Sequence, residues 1–154
     1  MSEIENILDE LRRIHAGDAW HGPALKESLS GVTAEQAAAR PVAGAHSIWE
    51  LVRHITGWEN VFRLRLEGDP VTEPKEGDFP PAGEVSEEAW AETLRRLDDC
   101  HERLLRTVAG LDDSALPETV PGKDYSIRFL LDGVVRHHVY HAGQIALLKK
   151  SFLS

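Results

Sequence analysis

Apolar residues along this chain recur at intervals of three and four, the spacing that places them on one side of a helix. Ile4, Ile7, Leu8, Leu11 and Ile14 form one such stripe and predict a helix over residues 3–16. Ile48, Leu51, Val52, Ile55, Trp58 and Phe62 form a second over residues 48–67. Ile127, Leu130, Leu131, Val134, Ile145 and Leu148 form a third over residues 127–150. Ser86 can cap a further helix, residues 87–109, which Gly110 closes. Starts are also marked by three capping boxes: Ser2 with Glu5, Thr33 with Gln36, and Ser47 with Glu50. In each, a hydroxyl and a reciprocal side chain satisfy backbone amides that a helix leaves unpaired.

Between these elements, "GDAWHGP" breaks the first helix through glycine and proline. Two short helices follow, at residues 24–29 and 34–39, the second stopping before Pro41. No segment alternates with a period of two. The pattern therefore predicts a single all-α domain over residues 1–154, an antiparallel four-helix bundle with extra short helices in the first connection. "GDPVTEPKEGDFPPAGEV" reads as a loop, and so long a loop is either functional or a crossover between distant helices.

Composition narrows the setting. A chain that is 42% hydrophobic and 28% charged has the balance of a soluble globular domain. Its apolar runs are too short to cross a bilayer. "MSEIENILDELRR" is acidic and amphipathic, unlike a secretory or transit signal, so a cytoplasmic location is expected. The net charge of −9, with basic residues scattered, disfavours nucleic acid as a partner. Cys100 is the only cysteine and reads as a small hydrophobe on a helix.

The chemistry is concentrated in "VRHHVYHAGQI", residues 135–145. His137 and His141 are four apart and stack on one face, where they can converge on an ion. His138 and His141, three apart, can do the same, and periodicity does not choose between the pairs. His138 falls near the middle of the buried stripe and the other two on its flank. A third ligand is available in His54, at the edge of the buried face of the 48–67 helix. Such a half-buried imidazole needs partners for its nitrogens, either a metal or hydrogen bonds.

Other residues take weaker roles. His46 stands about 12 Å along the helix axis from His54 and suits a pocket mouth. His21, in the glycine–proline break, suits a turn, while His15 and His101 read as surface residues. Glu59 is a candidate acid/base group or support for a ligand, and Gln144 a candidate to orient a ligand or bound water. Trp58 suits either a pocket wall or the core. Phosphate-binding and serine-nucleophile motifs are absent.

"HSIWELVRHITGWENVFRLRLEG" (residues 46–68) and "GVVRHHVYHAGQIALLKK" (residues 133–150) resemble the DinB/YfiT-like superfamily of helical metal-binding proteins. "AWHGPAL", "TAEQAAARP" and "YSIRFLLDG" extend the resemblance over nearly the whole chain. The family pattern is a histidine on the second long helix and His-x-x-x-His ahead of Gly-Gln on the last. His54, His137, His141, Gly143 and Gln144 stand in those places.

The resemblance implies one divalent ion, commonly zinc or nickel, held by His54, His137 and His141. His138 occupies a position that varies in relatives, and as a fourth ligand it would close the site. Relatives include transferases dependent on bacillithiol, mycothiol or a related low-molecular-weight thiol, proteins called hydrolases, and many without demonstrated activity; homodimers are frequent. An ion held by three neutral imidazoles keeps a position for water or substrate. It can lower a bound water's pKa toward ~7 or hold a thiol as thiolate. Two functions are therefore expected to compete: a metal-dependent transferase or hydrolase of small molecules, and a non-catalytic metal-binding bundle serving as a sensor or assembly module.

Overall fold

A computed structural model describes residues 1–153. The helices are α1 (Glu3–Ala16), α2 (Leu25–Leu29), α3 (Ala34–Ala38), α4 (Ile48–Leu66), α5 (Glu87–Ala109) and α6 (Ile127–Lys150), with a 3-10 turn at Asp113–Ala115. Caps fix their starts as the sequence predicts. Ser2, Thr33 and Ser47 each accept from the backbone amide three residues on, and the partner side chain bonds back. Ser86 and Ser126 cap α5 and α6. Among the described residues there is no strand, and no helix is long and apolar enough to cross a membrane.

Not all neighbours in the bundle are antiparallel, in keeping with extra helices and a long loop that argue against a plain hairpin series. Trp49 packs on Trp90, Cys100 donates to the Thr56 carbonyl, and Thr107 bonds Glu67, so α4 and α5 run parallel. Pairing of Glu3 with Arg128 and of His15 with His138 makes α1 and α6 parallel as well. Leu11 with His101 and His15 with Asp98 set α1 and α5 antiparallel, and His54 with His141 and Glu59 with His138 do so for α4 and α6. The bundle is thus up-down-down-up, and the connection at residues 67–86 is the crossover that parallel neighbours require. Periodicity reports which face is buried and carries no information about direction.

The core has two apolar clusters. One gathers Leu25, Trp49, Val52, Ile55, Leu97, Ile145 and neighbours. The other gathers Leu8, Leu11, Leu104, Val108, Leu131, Val134 and neighbours. Each fully buried aliphatic side chain contributes on the order of 1.5–3 kcal/mol. Between the clusters, α4 passes from Ile55 to Val61, α5 from Leu97 to Leu104, and α6 from Val134 to Ala142. Glu59, His101, His137, His138 and His141 lie in this intermediate layer, and His54 borders it.

Candidate metal centre

His54 on α4 meets His137 and His141 on α6 at the border of that layer. One ring nitrogen of each lies within 4.8 Å of those of the other two. Nε2 of His54 stands 3.0 Å from Nε2 of His137. His54 and His141 are buried and His137 is partly exposed, so the cluster sits at an edge of the bundle.

Two of the rings are oriented by bonds at their far nitrogens. His54 Nδ1 lies 2.7 Å from the backbone carbonyl of Asp78, which can only accept, so Nδ1 carries the proton and Nε2 keeps its lone pair. His141 Nδ1 donates to Gln144 Oε1 at 2.6 Å and likewise leaves Nε2 unprotonated. Gln144 therefore holds a histidine ring, by a bond between residues three apart on one helix. Phe79 lies flat on His54, with ring centroids 3.9 Å apart, and on its other face stacks against His46 at 3.7 Å. Trp58 is half-buried, 6.4 Å from His54 and 6.5 Å from His137, and donates Nε1 to Asp78 Oδ1 at 2.7 Å.

Burial makes all three imidazoles hard to protonate. It lowers His137 to about 4, helped by the nearby His141 and His54 rings. Burial also lowers His54, against the opposing pull of Asp78, and lowers His141. At neutral pH each ring is in the neutral form that ligates metals. The donor set fits a transition-metal ion, because imidazole suits zinc, copper, iron and nickel alike and each oriented ring has a supporting partner behind it.

His138 is placed differently from a fourth ligand of this cluster. Adjacent residues on a helix point about 100° apart, and its ring turns to the bundle interior. There it joins Glu59, His15 and His101. Glu59 is 1% exposed and accepts from His138 Nδ1 at 3.0 Å and from His101 Nδ1 at 3.1 Å. Burial opposes the charge of Glu59, yet those two imidazoles hold its carboxyl well below the usual carboxylate range. Glu59 is thus a buried anion whose hydrogen-bond partners are His101 and His138.

His15 and His101 are buried, not surface residues. Their rings stack at 3.9 Å, His15 Nε2 bonds Asp98 at 2.9 Å, and His101 Nε2 bonds the Leu11 carbonyl at 3.1 Å. The charged "LDDCHERL" around His101 conceals a plain signal: Leu97, His101, Leu104 and Val108 follow helical spacing. The roles of Asp78 and Phe79 are not legible in the sequence, because a loop has no periodicity to read. His21 is exposed and Cys100 half-buried. A cavity of about 530 Å³ lies between α4, α5 and the crossover. It is lined by Arg53, Asn60, Arg96 and Cys100 among others, and none of the three histidines lines it.

Fold and cluster together define a class: a four-helix bundle in which facing helices present three imidazoles that could hold a metal ion. The chain belongs to the DinB superfamily, whose sequence profile matches residues 17–145. No curated protein matches it.

Proposed function

We propose that this protein is a metal-dependent enzyme acting on small molecules, a thiol-dependent transferase or a hydrolase. His54, His137 and His141 would hold its one catalytic divalent ion, zinc or nickel. The observation that supports this most is the pair of lone pairs on His54 and His141 Nε2, each set by a bond at Nδ1 and brought beside the His137 ring. When bound, such an ion supplies a Lewis acid that acidifies water or holds a thiol as thiolate. The protein's own part is to fix the rings. The Asp78 carbonyl and Gln144 hold two of them, while Phe79 and Trp58 wall the cluster with apolar surface, in which charge interactions are stronger than in water.

A second reading is a metal-binding module without turnover, and the position of the large cavity away from the three histidines favours it. Metal analysis of untagged protein, with a screen of low-molecular-weight thiols against electrophiles, tests both. Turnover that disappears with the ion in His54→Ala or His137→Ala supports the enzyme. Uptake of an ion at the cluster without turnover on any substrate supports the module. Protein that takes up no metal at neutral pH overturns both.

A further inference from the structure

We propose that His15, His101 and His138 form a second site, buried and structural, for one transition-metal ion. The three come from α1, α5 and α6, and one ring nitrogen of each lies within 4.8 Å of those of the other two. They are 6%, 2% and 1% exposed. His15 precedes the stretch that matches the family profile.

The protons point to this assignment. His138 Nδ1 donates to Glu59, so its Nε2 bears a lone pair, and that nitrogen is buried with no partner. His15 Nε2 donates to Asp98, so its Nδ1 bears a lone pair, and that nitrogen too is buried with no partner. Buried polar atoms without a bond are uncommon and costly, and two on neighbouring rings ask for an occupant. An imidazole with a carboxylate on one nitrogen and nothing on the other is the usual arrangement of a metal ligand. His101 takes the third place by exchanging its bond to Glu59 or to the Leu11 carbonyl for the ion, releasing one proton to solvent.

Ligand chemistry sets the ion. Nitrogen donors suit zinc, copper, nickel or cobalt, whereas magnesium and calcium require oxygen. Glu59 and Asp98 behind the rings balance a divalent charge. An ion there would clip α1 to α5 and α6 through three buried side chains. Its contribution would be to hold the bundle together.

The test uses untagged full-length protein, stripped with a chelator and titrated with zinc. Wild type is expected to bind two ions per chain and H54A/H137A/H141A one. The midpoint of thermal unfolding of that variant should rise by several degrees when zinc is added. If the variant is folded and binds none while wild type binds one, the second site is overturned and the first stands. If wild type and variant both bind one, the second site stands and the first falls. Crystals of wild type grown with zinc provide a check free of mutation. An anomalous peak between His15, His101 and His138 supports the site, and a water alone at that point overturns it.

Discussion

His137 and His138, consecutive on α6, carry their imidazoles into two different clusters. His137 meets His54 at the bundle edge, with 3.0 Å between their Nε2 atoms, and His138 meets Glu59 in the interior, with 3.0 Å from Nδ1 to Oε1. One helical step separates a cluster near solvent from one that is sealed.

Gln144 should matter for metal affinity without touching the ion. Gln144→Leu removes the acceptor of the His141 Nδ1 proton and frees the ring to turn. Loss of such a supporting partner typically costs about 10–100-fold in affinity. Competition with a chromophoric chelator measures it, and unchanged affinity would remove Gln144 from the account.

Glu59→Gln should destabilise the fold far more than a surface change. Glu59 is a buried anion that accepts from two imidazoles, and a hydrogen bond to a charged group contributes about 1.5–3 kcal/mol. Urea unfolding of metal-free protein reads this directly. A loss below about 1 kcal/mol, the range of exposed pairs, would show that the network contributes little.

Acid should weaken the metal-free protein below neutrality. His15 is lowered to about 4, chiefly by burial and then by the charge of a neighbouring His101, and His137 is lowered to about 4 by burial first. Because their folded values lie below the unfolded value of about 6.5, the unfolded chain binds more protons in between. Stability is therefore fully present above about pH 6.5 and declines as pH falls toward 4. Chemical denaturation at stepped pH, with chelator present, should show the decline. A flat profile across that window would contradict it.

Cys100 should react slowly in the folded state. Burial, then the charge of Glu59, pushes its thiol up to about 11 from an ordinary 9.0, which lowers the thiolate fraction at pH 8 about 100-fold. Alkylation with iodoacetamide, followed by mass spectrometry, should be fast in urea and at least tenfold slower without it.

Much of this architecture was legible because helices announce themselves locally. Ser2, Ser47 and Ser86 mark starts by their own hydrogen bonds, and the stripes of α1, α4 and α6 follow from one geometric period. The parallel course of α4 and α5 was not legible, since it depends on contacts such as Trp49 with Trp90. The convergence of His54 on His137 and His141 is likewise a long-range fact, and only the resemblance to a family selected that set. Spacing alone left His137 and His138 as equal partners for His141. His15 and His101 each lie four residues beyond a buried apolar residue, at Leu11 and Leu97, a register that their polarity masks.

The crossover reaches His54 through the main-chain oxygen of Asp78, and every residue type possesses that atom. Substitution at position 78 can thus change the charge near the cluster and the tie to Trp58 while the imidazole keeps its tautomer. The aim of the ring is inherited from the route of the polypeptide, so the surroundings of the cluster can diversify with its geometry intact.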